Sequence, residues 1–184
     1  MTAGDPPPPD ATDADLIARW QAGDERAASL LVERHADPVA RYVSSLGMRG
    51  GVEEVVQDTF VRAFGSIAAF RGESTLRTWL FTIARRLVAD SRRAFRRQRE
   101  VVEVQEGDAA TEYDALDDLV ADESRRRMHE VIGRLSRTQR EVFLLRVNEG
   151  LSYKEIAVVV GTTEGAARVH YHNALRHVKE SLYV

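Results

Sequence analysis

Apolar residues recur three and four positions apart along most of this chain, which is the pattern of helices that bury one face. No stretch alternates between apolar and polar residues over the length of a strand, so strands are not expected. The apolar stripes predict four helices that begin near residues 12, 24, 52 and 75, and four more that begin near residues 122, 136, 152 and 162. The expected fold class is therefore all-α, with two small helical domains joined by a connector.

Polar residues at the predicted helix starts support these boundaries. A Ser or Thr followed three residues later by Asp, Glu or Gln forms a capping box, in which each side chain binds the backbone N–H of the other residue. Three such pairs are present: Thr12 with Asp15, Ser136 with Gln139, and Ser152 with Glu155. We expect the third helix to span about residues 52–69. The fourth should span about residues 75–97, after a cap by Ser74 or Thr75.

The stretch 151–176 predicts a helix-turn-helix. Gly161 can adopt the left-handed backbone that ends the first helix, and Thr162 or Thr163 can cap the second. The second helix has one apolar stripe, made of Ala167, Tyr171, Ala174, Leu175 and Val178. Its other face carries Arg168, Val169, His172 and Arg176. An ordinary helical hairpin could share the turn, but a polar face on the longer helix favours duplex DNA as the ligand.

Charge is distributed unevenly along the chain. The net charge is −3, yet residues 100–123 hold ten acidic residues and no basic one. The blocks on either side are mildly basic, and a DNA-binding protein needs a local positive patch rather than a positive total. Residues 1–11 are Pro-rich and expected to be disordered. The chain is thus divided into a disordered start, a helical block at 12–99, an acidic linker at 100–123 and a second block at 124–184.

Arginines are densest at the end of the fourth predicted helix. A solvated helix end would explain a few of these arginines, because the helix dipole favours cations near the C-terminus. The large number of arginines indicates instead that this segment binds phosphates. The cluster consists of Arg85, Arg86, Arg92, Arg93, Arg96, Arg97 and Arg99. Phe70 lies in the polar loop before this helix, where it could contact an unpaired base. Trp79 could do the same, but it fits the apolar stripe and is read as a core residue.

The sequence gives little support for other classes of protein, such as metalloproteins, enzymes or membrane proteins. The chain has no cysteine, and its five histidines lack metal-ligand spacing, so no cofactor or metal is expected. No nucleophile or phosphate-binding loop accompanies the carboxylates of Glu53, Glu54, Asp58 and Glu73, so we interpret them as surface and helix-capping charges. The protein is therefore not expected to be an enzyme. There is neither a membrane span nor a signal peptide, so we expect no membrane insertion and a cytoplasmic location.

Three segments together resemble a bacterial RNA polymerase sigma factor of the extracytoplasmic-function (ECF) type. They are EEVVQDTFVRAF at 53–64, FRGESTLRTWLFTIARRLVADSRR at 70–93, and LSRTQREVFLLRVNEGLSYKEIAVVVGTTEGAARVHYHNAL at 135–175. Each is only moderately specific, but their order and spacing match the family over nearly the whole chain after residue 12. The resemblance implies that the first block is sigma region 2 and the second is sigma region 4.

The resemblance also assigns roles to particular residues. Core polymerase would be bound by Glu54, Gln57, Asp58 and Arg62. Minus-ten DNA, melted and with one base flipped out, would be contacted by Phe70, Arg71, Ser74, Thr75, Arg77, Trp79, Arg85, Arg92 and Arg93. Minus-thirty-five DNA would be read by Arg168, Val169, His170, His172, Asn173 and Arg176. The implied partners are the beta and beta-prime subunits of core RNA polymerase, promoter DNA and an anti-sigma factor. The acidic linker would thread through polymerase, where its charge could mimic nucleic acid.

The recognition helix departs from the usual family pattern. Val169 stands where many members have Ser, while His170 and Asn173 each replace an Arg. Val169 could contact a thymine methyl group and Asn173 could pair with adenine, so we expect an unusual minus-thirty-five sequence. The main alternative is a stand-alone regulator that binds operator DNA without polymerase, which would not need the segments at 53–64 and 70–93. An enzyme is a more distant alternative.

Overall fold

The protein is all-helical throughout the residues described by the computed structural model, which are 8, 10–48, 50–102 and 123–182. The eight α-helices of these residues are α1 (Asp13–Gln21), α2 (Glu25–Ser45), α3 (Val52–Gly65), α4 (Leu76–Val102), α5 (Glu123–Arg134), α6 (Arg137–Val147), α7 (Tyr153–Val160) and α8 (Glu164–Leu182). The predicted all-α class is thus confirmed. Most of the expected disordered start, and residues 103–122 of the acidic linker, lie outside the described residues. Within the described ranges no helix is long and apolar enough to cross a membrane.

The helix starts follow the local polar signals. All three capping boxes form, and their Thr12, Ser136 and Ser152 hydroxyls accept hydrogen bonds from the backbone N–H three residues later. Thr75 rather than Ser74 accepts from the N–H of Thr78, at 3.2 Å, at the start of α4.

Two predicted helix ends are wrong. Helix α3 ends at Gly65, a poor helix former, and a 3-10 turn (Ile67–Ala69) follows. The Ser66 N–H is shared between the Arg62 and Ala63 carbonyls, each at 3.1 Å, and the Ala69 N–H then donates to the Ser66 carbonyl three residues earlier, at 2.8 Å. Helix α4 runs to Val102 rather than Arg97. The additional residues include Gln98, Arg99 and Glu100, which favour helix without any apolar stripe.

Helices α1–α4 form the first helical unit. Its largest fully buried side chains are Leu16, Leu31, Val39, Val43, Leu80, Phe81 and Val88. Phe81 packs against Tyr42 with ring centroids 4.8 Å apart, and Trp20 meets Phe64 at 4.9 Å. Helix α1 is tied to α2 by Asp13, which accepts hydrogen bonds from Arg34 at 2.7 Å and contacts His35 Nε2 at 2.9 Å.

Helices α5–α8 form the second helical unit. Its own core consists of Val131, Ile132, Leu135, Phe143, Leu144, Ala174 and Val178. The predicted stripe of α8 is confirmed, since Ala167, Ala174 and Val178 are buried and Tyr171 packs on Phe143 with centroids 6.0 Å apart. Helices α7 and α8 therefore form the predicted helix-turn-helix.

The two units pack directly on each other. Helix α7 lies against α4, and α6 lies against α2. Apolar side chains of the second unit, including Val142, Leu145 and Ile156, belong to the same buried cluster as the core of the first unit. The sequence indicated two tethered blocks and gave no sign that their cores join.

Gly161 shows what the turn between α7 and α8 requires. Its φ is +73°, and an added Cβ would meet no atom within 4 Å, so an Ala there would experience only backbone strain. Gly161→Ala should lower the free energy of unfolding by about 1–2 kcal/mol. Gly165→Ala is the matched control, because Gly165 lies in open space inside α8 and Ala should stabilise it by about 0.5 kcal/mol. Urea unfolding measures both, and equal effects of the two substitutions would contradict the explanation.

The attachment of α1 to α2 should depend on pH. Partial burial of Asp13 acts to raise its pKa, but hydrogen bonds from His35 and Arg34 outweigh burial and lower that pKa below its ordinary value of 3.8. The stabilisation is therefore present above the unfolded-state pKa, and it is lost as pH falls through the folded-state pKa.

Asp13→Asn should lower the free energy of unfolding at pH 7 by about 1 kcal/mol, because a partly exposed charged hydrogen bond is removed. The difference from the unsubstituted protein should shrink as pH falls below the ordinary pKa of Asp13. Urea unfolding followed by circular dichroism at several pH values measures this, with Asp10→Asn at an exposed position as the control. A loss that is the same at every pH would show that ionisation of Asp13 is not involved.

Candidate nucleic-acid and protein interfaces

The residues predicted to bind polymerase share the outer face of α3. Glu54, Gln57, Asp58 and Arg62 are all exposed. On the opposite face Val55, Thr59, Phe60 and Ala63 are buried in the first unit, which fixes the orientation of the helix. The structure thus brings the four residues together on one accessible surface.

An apolar groove lies beside this surface, between α2 and α3, and its volume is about 480 Å³. Its apolar lining includes Val32, Ala36, Val52, Val56, Val61 and Phe64. Asp37, Glu53 and Gln57 also line it, which gives it a partly acidic edge. Val61 is 63% exposed, an unusual position for a large apolar side chain. The sequence reasoning missed this groove, although Val61 falls outside the predicted stripe of α3 and was the available signal.

The loop between the 3-10 turn and α4 contains the residues predicted to capture a base. Arg71 and Thr75 are exposed and Ser74 is half-buried. Phe70 is half-buried and packs on Trp79, with ring centroids 5.1 Å apart. The two aromatic residues therefore form one pair at the start of α4, with the polar loop residues beside them.

Four of the predicted phosphate-binding arginines, Arg77, Arg85, Arg92 and Arg93, have protein partners. Arg77 forms an ion pair with Glu149, and its guanidinium lies 5.5 Å from the Phe81 ring centroid. Arg92 donates to the Leu46 carbonyl at the end of α2, and Arg93 pairs with Asp90 in the next turn of α4. Contact of these arginines with DNA stays a prediction.

Arg85 belongs to a buried polar cluster between the units. The Glu141 side chain is 3% exposed, and it accepts from Arg85 Nε at 2.7 Å and from the Tyr42 hydroxyl at 2.6 Å. Burial, together with the neighbouring Glu141 carboxylate, raises the pKa of Tyr42 well above its ordinary value. Burial and the positive charge of Arg137 lower the pKa of Arg92 in the same region. The sequence reasoning did not identify Glu141 as a contact residue.

The predicted DNA-reading face of α8 is open to solvent. Val169 is 58% exposed, and Arg168 is held by Glu164 at 3.1 Å with its guanidinium 5.2 Å from the Tyr153 ring centroid. His172 and Arg176 are exposed too, while His170 and Asn173 are half-buried. Asn173 accepts a hydrogen bond from Arg176 at 3.3 Å. Four of the six predicted residues of this surface are therefore exposed and two are half-buried.

Two family models match the chain. The Sigma-70 region 2 model matches residues 31–100, and the Sigma-70 region 4 model matches residues 125–178. These spans contain α3, nearly all of α4, and the helix-turn-helix except the last residues of α8.

Curated relatives match nearly end to end. The ECF RNA polymerase sigma-E factor of Haemophilus influenzae is 31% identical over 180 residues, which covers 93% of this chain and 95% of the relative. The protein of the same name from Escherichia coli K12 is 35% identical over 166 residues, covering 85% and 87%.

Solved structures show a similar fold. The sigma factor RpoE of Bartonella quintana, in complex with the anti-sigma factor NepR, matches with a TM-score of 0.70 and 22% identity over 85% of this chain and 96% of that chain. CnrH, in complex with the cytosolic domain of CnrY, matches with a TM-score of 0.66 and 29% identity over 92% and 96%. The chain belongs to the extracytoplasmic-function family of RNA polymerase sigma factors.

Proposed function

We propose that this chain binds core RNA polymerase through α3 and directs it to promoters by reading the minus-ten element with the first unit and the minus-thirty-five element with α8. One observation carries the proposal. The part of the chain that matches region 2 has an accessible surface with polar and apolar residues suited to docking, and the part that matches region 4 has an accessible recognition helix. A stand-alone operator-binding regulator would have no use for the first of these surfaces.

The polymerase contact is proposed to combine charge with apolar burial. Glu54, Gln57, Asp58 and Arg62 provide polar contacts, and the groove next to them can receive apolar side chains of a partner helix. A mixed surface of this kind fits a protein partner, because interface cores bury apolar area while their rims remain polar. The partner would be the clamp region built by the beta and beta-prime subunits.

The minus-ten contact is proposed to use the loop before α4 and the arginines along it. Arg71, Ser74 and Thr75 lie next to the Phe70–Trp79 pair, so phosphate-binding and base-stacking groups are adjacent there. Single-stranded DNA offers phosphates and unstacked bases together. Arg77, Arg85, Arg92 and Arg93 would extend the contact along the backbone.

An anti-sigma factor is the proposed regulator. Two similar solved structures are complexes with protein partners, and in one of them a sigma factor is bound by a partner named as an anti-sigma factor. The groove between α2 and α3 and the face of α8 are surfaces that such a partner would have to cover to block polymerase and promoter.

Polymerase docking can be tested with one exposed valine. Val61→Asp places an unpaired charge on the apolar groove, so it should weaken capture of core polymerase at least tenfold and abolish run-off transcription. Val147→Asp is the matched control, since Val147 is 54% exposed on the second unit. Surface plasmon resonance and transcription of genomic fragments measure the two effects. Failure of the unsubstituted chain to bind polymerase would overturn the proposed function itself.

Promoter choice should depend on Val169. Because Val lacks a hydroxyl and has methyl groups, we expect an A·T pair with its thymine methyl facing this side chain. Selection of promoters from a library randomised at the minus-thirty-five element should recover that pair, and Val169→Ser should relax the preference by about 1 kcal/mol at that base pair alone. Arg176→Gln, which removes a cation, should weaken binding across all sequences. A change in base preference with Arg176→Gln but not with Val169→Ser would refute the assignment.

A further inference from the structure

An aromatic ring of α7 lies against an arginine of the helix proposed to read minus-thirty-five DNA. The Arg168 guanidinium carbon is 5.2 Å from the centroid of the Tyr153 ring. We propose that Tyr153 is a positioning residue for promoter reading, whose ring holds Arg168 in the orientation that contacts a base pair in the major groove. The inference rests on the proposed function, because it takes α8 as the helix that enters the groove.

The Tyr153 ring is held in place by other aromatic residues of the second unit. Tyr153 is the first residue of α7 and is half-buried. Its ring meets Tyr171 of α8 at an interplanar angle of 60°, with centroids 5.8 Å apart, and Tyr171 stacks on Phe143 of α6. Edge-to-face and stacked arrangements at such distances are favourable for aromatic pairs. The ring therefore has a defined position before DNA is bound.

A second arginine fixes the same ring from α6. The Arg146 guanidinium carbon lies 5.0 Å from the Tyr153 centroid, and Arg146 Nη1 donates to the Leu151 carbonyl at 2.7 Å. Arg146 thus ties the end of α6 to the segment that leads into α7. Two cations beside one ring also repel each other, and the Glu164 carboxylate, 3.1 Å from Arg168, offsets this repulsion.

Glu164 alone would hold Arg168 only weakly. The two residues are one turn apart on α8 with side chains 52% and 56% exposed, and exposed ion pairs of this kind stabilise little. The Tyr153 ring adds an attraction from a different helix, so the guanidinium is restrained from two directions. A cation–π contact acts on the charge and does not use up N–H groups, which remain available for a base.

The same contacts favour base reading over phosphate binding. Because Glu164 already offsets the charge of Arg168, this side chain gains less from neutralising a phosphate than an arginine with a neutral partner does. Arg176 is such an arginine, since it donates to the neutral side chain of Asn173 at 3.3 Å. A guanidinium held in one orientation can instead form two hydrogen bonds to O6 and N7 of a guanine.

Selection of promoters measures the effect. The complete chain, bound to core polymerase, selects from a library randomised at the minus-thirty-five element at constant salt. The unsubstituted protein should enrich a guanine at one position, and Arg168→Met should reduce that enrichment about tenfold. Tyr153→Leu and Tyr153→Met, which lack the ring, should each reduce it about two- to fivefold, the fold-change that an exposed cation–π contact is worth. Tyr153→Phe keeps the ring and should retain the enrichment.

Two comparisons separate positioning from general loosening of the second unit. Phe143→Leu disturbs the same aromatic group from α6, so it should lower stability in urea unfolding but leave the base preference unchanged. In the Arg168→Met background, Tyr153→Leu should cause no further loss at that base pair, because Tyr153 acts through Arg168.

Salt dependence tests the assignment of Arg168 to a base. Arg176→Gln should lower the slope of log affinity against log salt by about 1, as loss of one phosphate contact does. Replacing both Glu164 and Arg168 with Gln leaves the net charge unchanged, so it should leave the slope unchanged while the guanine preference is lost. Fluorescence anisotropy of the polymerase complex on a duplex promoter fragment measures the slopes. A slope lowered by about 1 in this double variant would overturn the assignment.

Three results of the selection would overturn the positioning role. They are a loss with Tyr153→Phe as large as with Tyr153→Leu, which would identify the hydroxyl as the active group, an equal loss with Phe143→Leu, and a further loss from Tyr153→Leu in the Arg168→Met background. Failure of the proposed function would look different, because the unsubstituted protein with polymerase would then enrich no minus-thirty-five sequence.

Discussion

Helix α4 has to bury one face in the first unit while it presents charged side chains to the second, and the rest of the structure depends on that double requirement. Leu80, Phe81, Ala84 and Val88 are buried and hold the four-helix core together. Arg77 and Arg85 project from the same helix toward Glu149 and Glu141. Because these positions are interleaved along one helix, the core that fixes α4 also fixes the arginines. Rigid placement of this kind would suit the proposed role of these arginines, which is to match a regular series of phosphates.

Local chemistry explains how much of the fold could be predicted from the sequence. Capping boxes act over three residues and helix stripes over four, so the helix starts and the buried face of α8 followed directly. The end of α3 was missed because the backbone hydrogen bonds change there from a spacing of four residues to a spacing of three, after Gly65. The end of α4 was missed because charged residues continue a helix without an apolar stripe. Each miss concerns a boundary where no apolar residue decides the outcome.

The contacts between the units could not have been predicted in this way. Glu141 is 56 residues from Arg85 and 99 residues from Tyr42 along the chain, and Glu149 is 72 residues from Arg77. None of these glutamates belongs to an acidic run, so charge patterning directs attention to residues 100–123 instead. For the candidate site, the sequence therefore predicted only which types of residue face outward. Its occupation by the protein's own carboxylates depends on tertiary packing alone.

The packing of the two units leaves the two proposed DNA-contact surfaces exposed to different degrees. The Glu149 side chain is 4% exposed and Arg77 30% exposed where the units meet, whereas Arg168 is 56% exposed on α8. This packing therefore covers part of the proposed minus-ten face and leaves α8 accessible. A major groove admits a helix without prior melting of the duplex, whereas the proposed contact with unpaired bases involves Arg77 and Arg85, which Glu149 and Glu141 already engage.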